Sequence, residues 1–285
     1  MAKIQKTLQE LNLEDDFLFA KVMSDKEICR RVIEKILDIK IKVIKMPEEQ
    51  KVIDILLDSK AVRLDVYVND DKGTVYNIEM QQGKRGNLAK RSRYYQGSID
   101  LDKISKGKDY LTLSKSYVIF ICTFDPFGKG RHKYTFRNLC VEDNNIELGD
   151  ETDKVFLNTS GTIVDVDDEM LEFLSYVKKS TDEVAHNAKS DLVKVINDKV
   201  NHVKYDKTME VEYMTLLERD RLNYVEGREE GREEGREEGR KEGRKEGRTE
   251  EKIEMARKLL VRGMSIDEVA AITELAREKV ASLIQ

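Results

Sequence analysis

Two acidic side chains, Asp65 and Glu79, interrupt apolar stretches in which carboxylates are unusual. They belong to the segment RLDVYVNDDKGTVYNIEMQQ (63–82), where two alternating runs flank a short polar turn. Side chains alternate along a strand, and a short turn pairs two neighbouring strands. Asp65 is therefore predicted to lie across from residues 77–79, on the same face as Glu79.

Two carboxylates that converge on one face repel each other, and their pKa values are pushed apart. A divalent cation relieves this repulsion, and Mg²⁺ accepts one or two carboxylates while it keeps several waters. Such an ion activates water and stabilises charge on a phosphate. A plain hairpin whose polar residues face water accounts for the same alternation, so the pattern alone leaves both interpretations open.

The elements around the hairpin predict a mixed α and β core. A helix is predicted over 14–38, where apolar residues recur every three to four positions. The remaining predicted elements are strands near 51–57, 61–69 and 74–82, a helix over 87–106, a buried central strand SYVIFICTF at 116–124, and strands within HKYTFRNLC and DKVFLNT. This order indicates an α/β or α+β core of about 160 residues.

The pattern becomes helical from about residue 167, and the composition then changes abruptly. Glycine recurs every fourth residue from Gly227 to Gly247, within EGREEGREEGREEGRKEGRKEGR. We interpret this segment as a solvated helical spacer, and an unstructured low-complexity linker is the alternative. The predicted domains are a core (1–165), a helical extension (166–224), the spacer (225–249) and a small helical module (250–285).

The module at 250–285 is predicted to resemble a helix-turn-helix. Gly263 suits the end of a helix, and Ser265 with Glu268 forms a capping-box pattern for the next one. The module contains six Lys or Arg and seven Asp or Glu, a net charge of 6 − 7 = −1. Because phosphate binding favours a basic face, self-association is preferred over DNA binding for this module.

Composition argues against several classes of protein. The net charge of −5 indicates no global basic field. Three scattered cysteines without a C-x-x-C spacing argue against a disulfide framework or a cysteine zinc site, and a cytoplasmic location is expected. The three histidines show no metal-ligand spacing, and we see no signal peptide and no apolar run long enough to span a membrane.

Several segments in the same order resemble a known family. The hairpin RLDVYVNDDKGTVYNIEMQ follows DDFLFAKVM and precedes RSRYYQGSID and SYVIFICTFDPFGKG. This arrangement resembles the PD-(D/E)XK nuclease superfamily and, more closely, its Rpn family of recombination-promoting nucleases, which are often labelled putative transposases. The resemblance covers most of the chain and implies a restriction-endonuclease-like core with a mixed central sheet, followed by an all-helical C-terminal region.

The resemblance implies a Mg²⁺-dependent DNA endonuclease, with Mn²⁺ as a substitute ion, linked to recombination, mobile elements or defence. Asp65 and Glu79 would hold the metal, and Asp16 would be a supporting acid, with Asp15 as its rival. Gln81 occupies the position of the superfamily lysine, which would add positive charge in the transition state. Restoring Lys at Gln81 is therefore expected to raise the rate.

A local basic patch follows the hairpin and favours a phosphate substrate. Its residues are Lys84, Arg85, Lys90, Arg91 and Arg93, with Tyr94 beside Tyr95. Cations and stacking rings suit a DNA backbone, although a solvated helix face gives the same pattern. A second basic loop, GKGRHKYTFR, spans 128–137.

Three hypotheses follow for the whole chain. The first is a DNA endonuclease that forms homo-oligomers through its C-terminal helices, because a dimer would cut both strands. The second is a catalytically weak nuclease fold that acts by binding DNA or a protein partner. The third, a strand-transfer transposase, receives no support from the residues.

Overall fold

The structure is a computed structural model that describes residues 6–46, 52–53, 62–83, 86–104 and 107–284, with the backbone alone for 52–53 and 62–63. Lys84 and Arg85, and most of the strand predicted near 51–57, lie outside the described residues. The chain divides into two compact units, Met1–Tyr213 and Met214–Gln285. We describe each unit by itself.

A mixed six-stranded sheet is the centre of the first unit, in the order β1-β4-β5-β6-β8-β7. Strands β5, β6 and β8 are parallel to one another, and the pairs β1–β4, β4–β5 and β7–β8 are antiparallel. The short strands β2 and β3 pair with each other. The strands are β1 (Ile44–Lys45), β2 (Val52–Ile53), β3 (Val62–Arg63), β4 (Val66–Asp70), β5 (Val75–Gln81), β6 (Ser116–Cys122), β7 (Lys133–Phe136) and β8 (Thr152–Asn158).

Helices cover the sheet and continue into the second unit. They are α1 (Asp16–Met23), α2 (Lys26–Leu37), α3 (Leu88–Lys103), α4 (Asp168–Lys178), α5 (Asp182–Asn187), α6 (Asp191–Tyr205), α7 (Lys207–Val261), α8 (Ile266–Thr273) and α9 (Arg277–Ala281). The mixed sheet followed by helices confirms the predicted fold class. None of the described helices has the length and apolar character that a membrane span needs.

The single helix predicted over 14–38 is wrong, because two helices occupy this segment. The α1 helix ends at Met23, and Asp25 is the N-cap of α2. The Asp25 carboxylate accepts hydrogen bonds from the backbone N–H groups of Glu27 and Ile28, at 3.1 and 3.2 Å. Aspartate is among the preferred N-cap residues, and its short side chain starts a new helix inside a run of helical periodicity.

The two central strands are buried along their whole length. Strand β6 lies between parallel neighbours, as its continuous apolar and β-branched sequence predicted. Strand β5 is buried as well, and α3 covers one face, where Val75, Leu88 and Phe120 share a core cluster. The alternative that the polar residues of this hairpin face water is therefore wrong.

The second unit contains most of α7 and the two short helices after it. The glycine spacer is helical, and each of its six glycines is open, since an added Cβ would meet no atom within 4 Å. Ala256, Val269 and Val280 are fully buried together at the end of the chain. The predicted capping box of Ser265 and Glu268 is present at the start of α8.

Replacing spacer glycines by alanine is expected to stabilise this part of α7. Each of Gly231→Ala, Gly235→Ala and Gly239→Ala is expected to slow amide hydrogen exchange across 227–247 by an amount equivalent to about 1 kcal/mol, because Gly costs a helix about that much relative to Ala. Gly263→Ala is the matched control. Its Cβ would also meet open space, but its φ is +85°, so we expect destabilisation. If amide hydrogen exchange across 227–247 were the same in the spacer variants as in wild type, a helical spacer would be contradicted.

Candidate active site

The hairpin of β4 and β5 places Asp65 against Glu79. The pairing of Tyr67 with Asn77 continues to Asp65 opposite Glu79, at a bend just before β4. The backbone N–H of Asp65 donates to Glu79 Oε1 at 3.3 Å, and the backbone N–H of Met80 donates to Asp65 Oδ2 at 3.1 Å. Each carboxylate thus accepts a hydrogen bond from the backbone beside the other, which holds both at one end of the hairpin.

Glu79 is the buried member of this pair, and its side chain is 3% exposed. Burial, followed by the negative charge of Asp65, raises the pKa of Glu79 to about 8. The backbone N–H of Asp65 and the Arg91 guanidinium oppose this rise. Burial therefore favours the protonated form of Glu79 and a bound cation would favour the charged form, which is a perturbation typical of a functional site.

Asn77 adds a second buried polar group to the same face of β5. It lies two residues before Glu79 and is fully buried, and its amide lowers the pKa of Glu79, although neither of its polar atoms meets full hydrogen-bond geometry among the described residues. An unpaired buried amide costs roughly 1–3 kcal/mol. Packing of the core does not explain this residue, so we count it with the candidate site.

Arg91 of α3 connects the end of β5 to the helix above it. Its Nη1 donates to Gln81 Oε1, and its Nη2 donates to the Tyr95 hydroxyl at 2.8 Å. Nη2 also lies 3.7 Å from Glu79 Oε2. The guanidinium packs over the rings of Tyr95 and Phe120, with centroid distances of 5.3 and 5.4 Å. A positive charge is therefore fixed beside the Glu79 carboxylate.

The two acids proposed on the first helix differ in their contacts. Asp15 is the N-cap of α1, and its Oδ1 lies 3.3 Å from the amide nitrogen of Gln82, the residue after β5. The same amide donates to the backbone carbonyl of Glu14. Asp16 begins α1 with an exposed side chain. The contact through Gln82 therefore links Asp15, the rival choice, to the strand that carries Glu79.

A second loop lies at the same edge of the sheet, because β5, β6 and β8 are parallel and end there. This loop follows β6 and is organised by Asp125, whose carboxylate accepts hydrogen bonds from the N–H groups of Phe127, Gly128 and Gly130 at 2.6–3.0 Å. The Tyr134 hydroxyl also donates to it, at 2.8 Å. In open sheets of this kind, ligands bind beyond the carboxyl ends of the strands.

The basic residues predicted to contact DNA occupy two sides of α3. Lys90, Arg93 and Tyr94 are exposed, whereas Arg91 turns inward to Gln81. Tyr95 is partly buried and stacks on Phe120, with ring centroids 6.0 Å apart. The structure therefore separates a solvent-facing basic surface from an arginine within the candidate site.

Sequence reasoning missed the roles of Asn77 and Tyr95. Asn77 carries a signal, because it precedes Glu79 by two residues and so shares its face. Tyr95 follows Arg91 by four residues, which places the two side chains together on a helix. The contact between Arg91 and Gln81 has no such signal, because a strand and a helix meet there through tertiary packing alone.

The donor set fits a hard divalent cation. Asp65 and Glu79 offer carboxylate oxygens from neighbouring strands, and Mg²⁺ is commonly held by one or two carboxylates with water in the remaining positions. Within the described residues, no group of three or more His, Cys, Asp or Glu could hold a metal.

The raised pKa of Glu79 predicts a pH-dependent stability in the presence of EDTA. The folded value is about 8 and the ordinary value 4.5, so the unfolded chain releases this proton first as the pH rises. The free energy of unfolding should therefore fall between about pH 5 and pH 8, by a few kcal/mol. Glu79→Gln should make this slope smaller in urea denaturation, because Glu14 and Asp100, whose pKa values are also raised by burial, still contribute. Glu226→Gln, at an exposed glutamate, should retain the full slope. If the free energy of unfolding had the same pH dependence in wild type and Glu79→Gln, a raised pKa of the buried Glu79 carboxyl would be contradicted.

Comparison with known proteins agrees with this geometry. The family model described as "PD-(D/E)XK nuclease family transposase" matches residues 14–228, which include the sheet, the hairpin and α3. No curated protein and no solved structure gives a significant match. Since the matched region is well over half of the chain, this protein belongs to the PD-(D/E)XK nuclease family transposases.

Proposed function

We propose that this protein is a Mg²⁺-dependent endonuclease that hydrolyses phosphodiester bonds in DNA. The family supports a nuclease in general terms. The observation that carries the finer statement is the pair Asp65 and Glu79, which meet at a buried strand end through reciprocal backbone hydrogen bonds. Core packing does not require two facing carboxylates, and their mutual repulsion is relieved by a cation.

In the proposed mechanism, Asp65 and Glu79 would hold the metal ion. Bound Mg²⁺ lowers the pKa of water and neutralises charge on the phosphate. The backbone N–H groups of Asp65 and Met80 fix the orientation of the two carboxylates. The closely packed β5 and β6 exclude water from behind the site, since both strands are buried throughout.

Two exposed basic surfaces would guide DNA to this edge of the sheet. The first is the outer side of α3, with Lys90, Arg93 and Tyr94. The second is the loop around Asp125, where Lys129 and Arg131 are exposed. Lysine and arginine bind the phosphates and supply a salt-dependent affinity, even though the net charge of the chain is −5.

The direct test is the nicking of supercoiled plasmid by the purified full chain. We expect nicking with Mg²⁺ or Mn²⁺ and none with EDTA. Asp65→Ala should lower the rate about 10²-fold or more, since even residues outside the first coordination shell of a metal cost 10–100-fold. Asp71→Ala removes an exposed carboxylate from the turn of the same hairpin and should leave the rate unchanged. Nicking by Asp65→Ala at the wild-type rate would overturn the assignment of the site.

A second candidate function is DNA or partner binding by a catalytically weak nuclease fold. The observation that favours it is Gln81, whose side chain brings no charge to the position of the superfamily lysine. A folded wild type that binds Mn²⁺ and DNA without nicking would support this function. The plasmid experiment therefore separates the two candidates when DNA binding is measured alongside it.

We also propose that the C-terminal helices assemble copies of the chain. The core at Ala256, Val269 and Val280 is small, and domains of this size usually need an additional source of stability, such as oligomerisation. Apolar side chains remain exposed around it, including Val261 at 89%, Ile284 at 60% and Ile272 at 52%. Self-association would cover them.

Removing residues 250–285 is therefore expected to lower the oligomeric state. Light scattering should show a smaller number of subunits for the truncated protein, because the apolar surface that joins the copies has been removed. Circular dichroism of the same sample should confirm that the core remains folded. An unchanged number of subunits would contradict the proposed role of these helices.

A further inference from the structure

Gln81 does not have a free amide at the end of β5. Its Oε1 accepts a hydrogen bond from Arg91, and its Nε2 donates to the backbone carbonyls of Gln82 and Gly83 at 2.8 and 3.4 Å. Both ends of the amide are thus occupied by protein groups. Gln81 is therefore arranged to hold an arginine, and only the second lone pair of its Oε1 remains for a water.

Arg91 is held at three points, which fixes both the place and the plane of its guanidinium. Gln81 and Tyr95 accept hydrogen bonds from its two terminal nitrogens, and the group packs over the Tyr95 and Phe120 rings. Two of the five N–H donors of an arginine are used in this way. Donors remain for a phosphate, which arginine recognises with two parallel hydrogen bonds.

The guanidinium lies close to a proposed metal ligand, since Arg91 Nη2 is 3.7 Å from Glu79 Oε2. The Glu79 side chain is 3% exposed, whereas the Arg91 side chain is 24% exposed and so can be reached from solvent. A phosphate that approaches a cation held by Asp65 and Glu79 would meet the partly exposed side of Arg91. The always-charged guanidinium contacts the end of the Gln81 side chain, so its charge lies close to the place where a lysine at position 81 would bring its own.

We propose that Arg91, anchored by Gln81, supplies the positive charge that this active site directs at the reacting phosphate. The proposal rests on the proposed nuclease function. It reassigns Arg91 from general DNA binding to the reaction centre, and it gives Gln81 the role of a positioning residue. The charge thus comes from α3, and β5 provides the anchor.

This arrangement reverses one expectation from the sequence. A lysine at position 81 would lose the hydrogen bond to Arg91 and place a second positive charge beside the guanidinium. Because like charges at contact distance repel, Gln81→Lys alone should slow the reaction. Combined with Arg91→Gln, the same lysine no longer meets another cation and should restore much of the rate.

The test compares Arg91→Gln, Arg91→Lys, Gln81→Lys and the double variant Gln81→Lys with Arg91→Gln. Each is measured by single-turnover plasmid nicking, by Mn²⁺ titration and by thermal unfolding. Arg91→Gln should slow nicking about 10²–10³-fold, as the loss of one transition-state donor does. The same variant should bind Mn²⁺ about fivefold tighter, because a like charge near the metal ligands is gone. Arg91→Lys should fall between wild type and Arg91→Gln.

Arg219→Gln is the control, because it removes an exposed arginine from α7, outside the candidate site and both proposed DNA-binding surfaces. It should leave the single-turnover rate at saturating DNA and the Mn²⁺ affinity unchanged. A purely structural role for Arg91 predicts a different result. Arg91→Gln would then unfold at lower temperature and bind Mn²⁺ more weakly, and the double variant would not recover. That result would overturn the proposal.

The failure of the proposed nuclease function is distinguishable from the failure of this inference. If folded wild type does not nick plasmid with any metal, the nuclease proposal fails. The Mn²⁺ titration then still shows whether the Arg91 guanidinium acts on the metal site. Tighter Mn²⁺ binding by Arg91→Gln than by wild type would support this action. Unchanged Mn²⁺ binding by Arg91→Gln would overturn it.

Discussion

The burial of the Glu79 carboxylate inside a central strand is the constraint on which the site depends. An isolated buried carboxylate is costly, and a second one from Asp65 adds repulsion. The protein offsets this cost with the backbone N–H of Asp65 and with the guanidinium of Arg91. The bend at Asp65, the covering helix α3 and the end of β5 all meet around this one group.

The contacts around Gln81 explain how an uncharged residue fits a position where the superfamily uses lysine. The amide connects the strand end to Arg91, and Arg91 reaches Tyr95 and the ring of Phe120. Phe120 in turn stacks on Phe156, with ring centroids 5.4 Å apart. In the proposed site, the positive charge would come from an arginine on α3 that a glutamine on β5 anchors. The geometry of the site is consequently coupled to the packing of α3 on the sheet.

The C-terminal unit follows a different physical principle from the core. The core is specified by buried strands, whereas α7 is exposed along its glycine repeats and gains little from packing. Its periodic Glu and Arg residues provide i,i+3 pairs such as Glu229 with Arg232, which partly offset the repulsion between like charges at i,i+4. The module at its end has a small apolar core and exposed apolar residues. These features suit contact with another chain better than catalysis.

Local sequence determined most of the elements of this protein. Alternation specified the β4–β5 hairpin and the facing of Asp65 and Glu79, the apolar run specified β6, and the capping box of Ser265 specified the start of α8. These patterns depend on the geometry of one strand or one helix, which neighbouring residues encode. Asp25 was missed as an N-cap because helical periodicity continues across it.

Tertiary structure alone decided how polar residues are used. Alternation could not distinguish a water-facing side of β5 from one covered by α3, because both give the same pattern. The pairing of Arg91 with Gln81 and the link from Asp15 to Gln82 join segments whose separation in the sequence carries no periodic signal. Such contacts arise when the sheet and its helices pack, and the raised pKa of Glu79 exists because that packing removes water from a carboxylate.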